Sequence, residues 1–475
     1  MKILWLCNFM LPAIAVQLHR EATNKEGWIS GLAQVVLGRQ HENDITLAVA
    51  FPVNEAGSGR SCLLEDKDQI ISGTVKLEQS SLRFYGFYED TSRPECYDAG
   101  LERRLSQITG DFKPDIVHCF GTEYPHTLAL CRSFPQKDRI LVGIQGLCSV
   151  YANAYFANLP EQVIHSVTLR DFLKKDSLAR QQEKFAARGA MEIEAVRLAG
   201  NVTGRTAWDR FYTEQWNPGA EYHMMNETLR ADFYHGAWKE ENCIPRSIFL
   251  SQGDYPIKGL HYMLAALPAI REKYPDVQVF VAGNSLVKYG TWKEKLKISA
   301  YGRYLRRLIR KNGLEKNIQF LGKLNAQAMK DRYLKSNLFV CCSAIENSPN
   351  SLGEAMLLGM PCVSADVGGI PSIFDNGKDG ILYGGFKTAK NEFDNMCNEI
   401  ENNEKGLDII SKRLADAVVE IWSDKEKMLD YCKNARNHAQ KTHNGEANYR
   451  KMTEIYSKIL QKTTEPEEGN RCGTE

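Results

Sequence analysis

Two glutamates, Glu346 and Glu354, stand eight residues apart in the segment Glu346-Asn-Ser-Pro-Asn-Ser-Leu-Gly-Glu354-Ala-Met. On one continuous helix they would lie roughly 80° apart around the axis, at about 100° per residue. The Asn-Ser-Pro-Asn run instead predicts that Glu346 sits in a loop and Glu354 in the first turn of a helix. Gly359 and Pro361 then supply a stop signal. Two carboxylates with helix N-terminal N–H groups between them could grip a ligand that has hydroxyls at both ends and an anionic middle. A diphosphate carrying a sugar at each end has that chemistry.

Three further loops share this setting in the second half. Ser251-Gln-Gly-Asp-Tyr-Pro-Ile-Lys258-Gly259 pairs a tight turn with a flexible point charge for phosphate. Ala282-Gly283-Asn284 is a glycine turn, and Asp366-Val-Gly368-Gly369-Ile-Pro371 could turn backbone N–H groups toward a phosphate. Singly each has a plain structural reading: a solvated lysine, an ordinary glycine loop. Their shared place after apolar strand-like segments is the stronger signal, because open parallel sheets bind ligands at the carboxyl ends of their strands. In the first half, Gly27-Trp28 and Gly31 open a helix after an expected loop over 8–26. His118 and His126 flank a loop containing Glu123, and Gln145-Gly146 follows the next expected strand. Each histidine is equally readable as a core residue, and neither spacing predicts a metal site.

The elements that must position these residues alternate as in a parallel α/β protein. Strands are expected at 3–7, 45–50, 116–118, 140–144 and 201–203, with helices at 28–40 and 170–198. The alternation restarts with strands at 248–251, 277–282, 318–321, 338–342 and 362–365, and helices at 260–273, 325–336 and 351–358. Regular patterning lapses over 217–245, so two domains are expected, 1–225 and 245–425. C-terminal helices follow over 426–461, then a polar, disordered tail over 462–475.

A chain of 475 residues exceeds the size at which one core stops growing. Its net charge of +1 excludes a globally basic nucleic-acid binder. Thirteen scattered cysteines without a Cys-x-x-Cys spacing read as free thiols in a reducing compartment. Residues 2–7 read as a first buried strand or, less well, as part of a signal peptide interrupted by Asn8 and Pro12. The basic segments at 293–297, 303–311 and 170–175 have two readings, a helix face against anionic lipid and a solvated face.

Lys258-Gly259, Ala282-Gly283-Asn284, Phe320-Leu-Gly322, Glu346-x7-Glu354 and Gly368-Gly369-Ile-Pro371 together resemble the retaining glycosyltransferases of family 4. Pro114-Asp-Ile-Val-His118-Cys-Phe-Gly-Thr-Glu123-Tyr-Pro-His126 and Gly204-Arg205-Thr-x-Trp-Asp209 resemble a subgroup associated with bacterial surface-polysaccharide assembly. The resemblance implies the GT-B fold: two Rossmann-like domains facing across a cleft, with a C-terminal helix returning to the first. It implies hexosyl transfer from a UDP- or GDP-sugar to a glycan or lipid-linked acceptor in the cytoplasm; a lipid-linked acceptor would suit the lipid-facing reading of the basic segments, with peripheral contact at the inner face of the plasma membrane.

By the same resemblance Glu354 binds the ribose and Glu346 the donor sugar, while Lys258 and the backbone at Asn350, Ser351 and Leu352 hold the diphosphate. Gly322 and Lys323 lie beside the base, Asn284 and Gly27 near the donor, and His118, Glu123, His126 and Gln145 face the reacting sugar or acceptor. No cofactor or metal is implied, and no Asp-x-Asp triplet is expected to hold a metal. One position departs from the family: where an arginine is usual, Gly253 stands, leaving Arg205 to supply a second cation. That departure keeps open a non-catalytic sugar-nucleotide binder or assembly protein. A dinucleotide-dependent dehydrogenase is disfavoured, because Asn8-Phe-Met-Leu-Pro after the first strand lacks Gly-x-Gly-x-x-Gly.

Overall fold

The computed structural model describes residues 1–20, 27–39, 44–54, 62–76, 80–287, 291–384 and 404–462. The first half forms an eight-stranded sheet from β1 (Lys2–Cys7), β2 (Thr46–Val53), β3 (Ile71–Lys76), β4 (Ser81–Tyr88), β5 (Ile116–Phe120), β6 (Ile140–Gly143), β7 (Asn201–Gly204) and β8 (Glu221–Met224). Their order is β3-β4-β2-β1-β5-β6-β7-β8, parallel throughout except for the antiparallel edge strand β3. The second half forms a wholly parallel six-stranded sheet from β9 (Ile244–Leu250), β10 (Gln278–Ala282), β11 (Ile318–Gly322), β12 (Ser336–Cys341), β13 (Cys362–Ala365) and β14 (Ile381–Tyr383), ordered β11-β10-β9-β12-β13-β14. Central strands β5, β7, β12 and β13 are buried at every residue. Helices cover both faces of a parallel sheet, so its strands read as unbroken apolar runs.

Several expected bounds shift. The loop expected over 8–26 contains a helix, Pro12–Gln17, started by Pro12. The helix expected over 170–198 is two, Leu169–Lys174 and Leu178–Leu198, separated where Lys175 turns left-handed and Ser177 caps the second. Strands β3, β4, β8 and β14 were not expected. β3 alternates exposed with partly buried residues up to Val75, β8 and β14 are only four and three residues long, and Arg83 and Gly86 interrupt the apolar residues of β4.

The C-terminal segment is likewise divided. Helix Glu404–Ser423 packs on Leu260–Lys273, and Lys425–Thr442 packs on Asn350–Leu358. After a break at His443, helix Gly445–Lys462 crosses back to the first half and packs on Gly27–Gly38. There Trp5 Nε1 donates to Tyr456 Oη at 3.0 Å in the core. Lys462, expected to begin the tail over 462–475, ends this helix, and 463–475 lie outside the described residues. Among those residues no helix is long and apolar enough to cross a membrane.

Candidate active site

Loops following β9 and β12 and the linker between the sheets meet the first half at a cavity of about 440 Å³. Glu346 lies in the loop after β12, and Glu354 is the fifth residue of helix Asn350–Leu358, at the start of its second turn rather than in its first. Two close backbone approaches hold this loop. Gly259, at φ +70°, passes so near Cys342 O that a Cβ would lie at 1.7 Å. Gly368, at φ +55°, would place a Cβ 2.0 Å from Glu346 O, and the Gly369 amide donates to that same oxygen at 3.0 Å. The Gly368-Gly369 turn therefore braces the Glu346 loop, with one amide consumed, instead of presenting it to a phosphate.

Both carboxylates are buried and paired. Lys258 Nζ donates to Glu346 Oε1 at 2.6 Å, and Ser343 Oγ donates to the same oxygen at 2.8 Å. Burial opposes the charge on Lys258, but the Glu346 carboxylate outweighs it and holds the ammonium above the usual lysine range. Arg230, from the linker between β8 and β9, grips Glu354 with two parallel bonds: Nε to Oε1 and Nη2 to Oε2, each 2.7 Å. Burial pushes Glu354 up to about 7, with Arg230 pulling against it. Lys258, Arg230, Glu346 and Glu354 all line the cavity. The Asn350 and Ser351 amides open the helix at the cavity wall, whereas the Leu352 amide already donates to Pro349 O at 2.9 Å and its side chain is core.

The first half contributes Trp28, Glu123, Gln145, Gly146, Tyr151 and Arg205 to the lining. Arg205 is held in place: Nη1 lies 3.0 Å from Glu227 Oε1 and donates to Ile144 O at 3.0 Å. Burial raises the Glu227 carboxyl, and Arg205 opposes that rise. Asn347 joins the halves, donating to Asp209 Oδ2 at 3.0 Å and accepting from Thr206 Oγ1 at 2.6 Å. Its amide donates to Tyr151 Oη at 3.1 Å.

Several expected site residues lie elsewhere. His118 is a core residue; its Nδ1 is 2.7 Å from Tyr456 Oη, its ring stacks on Phe120, and burial lowers it to about 3. His126 is also buried, held between Glu89 at 2.6 Å and Asn8 at 3.0 Å. It reaches the cavity only through Asn8, which donates to Glu123 at 3.1 Å. Asn284 is exposed and donates to Asp254 at 2.8 Å, while Gly322 turns at φ +76° beside an exposed Lys323; none of the three lines the cavity. Gly27 begins its helix, next to Trp28 of the cavity wall.

Gly253 is packed inward, where a Cβ would meet Leu260 at 2.8 Å and Val281 at 3.0 Å, so an arginine there would point into the core. Arg230, Asn347, Tyr151 and Ser343 were not anticipated. Arg230 sits in a stretch without regular pattern, the roles of Asn347 and Tyr151 arise only where the halves meet, and Ser343 is a common polar residue that bonds Glu346 within its own loop.

The chain does contain one Asp-x-Asp triplet, Asp66-Lys67-Asp68. Asp66 accepts from the Asp68 and Gln69 amides of its own turn, and Asp68 pairs with Arg103 of helix Gly100–Phe112. Asp375, Asp379 and His438 also cluster within metal-ligand reach, away from the cavity lining. There His438 Nδ1 and Asp379 Oδ2 are 2.6 Å apart.

A cleft between two sheets of parallel strands, with the ligand-facing loops at strand ends, is the GT-B architecture. The solved sucrose-phosphate synthase from Thermosynechococcus elongatus superposes with a TM-score of 0.65 over 97% of this chain and 100% of its own, at 13% identity. Anabaena HepE in complex with UDP-glucose superposes at 0.58 over 96% of this chain and 100% of its own, at 16% identity. At the level of sequence, residues 245–413 match the family model described as "Glycosyl transferases group 1". Spore coat protein SA of Bacillus subtilis (strain 168) is 26% identical over 151 residues, 31% of this chain and 38% of its own length. The chain spans about two-fifths of the length of the first curated relatives it matches.

Proposed function

We propose that the protein is a retaining glycosyltransferase that moves a hexosyl group from a UDP- or GDP-linked sugar to a glycan or lipid-linked acceptor in surface-polysaccharide assembly, on the cytoplasmic side of the membrane. The observation that carries this reading is the pair of cation–carboxylate contacts, Lys258–Glu346 and Arg230–Glu354, set side by side in one cavity at the mouth of helix Asn350–Leu358. Lys258 and the Asn350 and Ser351 amides would take the diphosphate, leaving Glu346 to the hydroxyls of the donor sugar and Glu354 to the ribose. The UDP-glucose complex of HepE, at the level of the fold, supports a UDP-sugar as donor.

In this reading the acceptor hydroxyl attacks the face from which the diphosphate departs, through a short-lived oxocarbenium ion. The acceptor proton passes to the departing phosphate oxygen, and the configuration is retained. The chain's part is electrostatic: a fixed ammonium and aligned amides stabilise the charge growing on the leaving group, and closure of the halves over the cleft would exclude water. Neither carboxylate acts as nucleophile.

A second reading, a non-catalytic sugar-nucleotide binder, is favoured by the inward-packed Gly253, which denies the diphosphate its usual arginine. One experiment separates the two. Purified protein is offered UDP-, GDP- and ADP-sugars while melting temperature and nucleotide release are followed. Transfer requires at least one donor to do both; a melting shift without release favours the binder, and neither response from any donor overturns the proposal.

A further inference from the structure

The helix Leu169–Lys174 is inverted relative to an ordinary surface helix. Its acid, Asp171, is buried, accepting from the Ala300 amide at 2.8 Å and from Thr168 N at 3.3 Å. Its apolar residues face outward: Phe172 is 73% exposed, Leu173 70% and Leu169 53%, with Val167 just ahead at 56%. Of eleven large apolar side chains exposed among the described residues, these four fall within seven positions, so the exposure is concentrated. Single exposed apolar residues need no explanation; a cluster does.

The Asp171–Ala300 bond sets this knuckle against the start of helix Ala300–Lys311, which belongs to the second half. That helix buries Tyr301, Tyr304, Leu305 and Ile309 and exposes Arg303, Arg307, Arg310 and Lys311. No Asp or Glu occurs between Ser299 and Lys311, and the chain as a whole carries only +1, so positive charge is gathered here. Of the acids near the knuckle, Asp171 and Asp176 are both paired with Arg170, at 3.0 and 3.1 Å. The helix that follows the knuckle, Leu178–Leu198, packs on helix Cys148–Asn153, which carries Tyr151 of the cavity wall.

We propose that this face docks on an anionic phospholipid bilayer. Leu169, Phe172 and Leu173 enter the interface, and the basic face of Ala300–Lys311 lies on the headgroup phosphates. Apolar prongs beside a basic helix match such a surface in both respects, whereas a purely solvated basic helix needs no prongs. The two halves each supply one part, so docking holds the cleft against the membrane. Its usefulness rests on the proposed lipid-linked acceptor; the binding itself does not.

The test is flotation of the full chain with vesicles of phosphatidylcholine alone or with about 30% phosphatidylglycerol. The protein is expected to float with the anionic vesicles and to detach as salt rises. Phe172→Ser with Leu173→Ser, and separately Arg303→Glu with Arg307→Glu, should each lower partitioning by about tenfold or more, since each basic contact is worth roughly fivefold. Melting temperature and nucleotide binding should stay unchanged. The proposal is overturned if the wild type ignores anionic vesicles or if both variants float like it. It is also overturned if light scattering shows a dimer that the Phe172/Leu173 variant splits, which would assign the face to a second copy. Donor-induced melting shifts measured on the same samples report on glycosyl transfer separately, so either idea can fail alone.

Discussion

The two halves place polar residues at equivalent strand ends but use them differently. In the second half, Lys258, Glu346 and Glu354 reach the cavity, and their partners are cations or carboxylates that also line it. A ligand with matching charges can exchange with such partners. In the first half, His118 and His126 are bound by fixed groups behind the cavity wall: Tyr456 for one, Glu89 and Asn8 for the other. Arg205, although at the wall, is held by Glu227 and the Ile144 carbonyl. The second half thus holds exchangeable charge, and the first half holds a rigid frame against which a substrate can be oriented.

Removing the exchangeable groups should hurt most. Glu354→Gln is expected to lower kcat/KM by about 10²–10³-fold, and a near-wild-type value would break the ribose assignment. The glutamine is preferable to alanine, because deleting the side chain strands a largely buried Arg230, at a cost of up to about 3 kcal/mol. Lys258→Ala should cut kcat by about 10²-fold, as losing one oxyanion donor does, with a smaller change in KM. An unchanged kcat would move the leaving-group clamp elsewhere.

Arg230 sharpens the comparison, since it occupies both oxygens that a ribose would need. If it swings to the diphosphate when a donor enters, Arg230→Ala should weaken UDP about tenfold and leave uridine equal or tighter. Equal losses for both ligands would make it a structural brace. Uridine also reports on Glu354 without a phosphate titrating. Burial raises that carboxyl to about 7, and the ionised form is the one that accepts hydroxyl hydrogens. Affinity should therefore rise about tenfold between pH ~6 and ~8, and Glu354→Gln should flatten the profile.

How much of this was legible follows from the same contrast. The central parallel strands and the loop-then-helix placement of Glu346 and Glu354 were readable, because long apolar runs, Pro349 and Gly359 act locally. Lys258 was readable because it follows a strand and a glycine. Arg230 was not: its partner is 124 residues away, in a linker with no period to read. Asn347 was hidden for a related reason, since its bonds to Thr206 and Asp209 exist only once the halves meet. His118 misled because a histidine at a strand end looks alike whether the ring turns to the cleft or to the core. The ring's direction is decided by Tyr456, on a helix that returns from the far end of the chain.

The smallest expected effect on catalysis is therefore at His118, and it tests the frame directly. His118→Phe keeps a ring to stack on Phe120 but removes the nitrogen that Tyr456 Oη meets at 2.7 Å. Tyr456 still accepts from Trp5, so one buried hydrogen bond is lost, worth about 1–2 kcal/mol. In a chain of this size that lowers Tm by only a few degrees, roughly 2–4 °C. Because the ring lies in the core behind the wall, kcat and KM should stay within about twofold of wild type. A large fall in kcat with an unchanged Tm would put His118 in the chemistry and make the first half a catalytic partner instead of a frame.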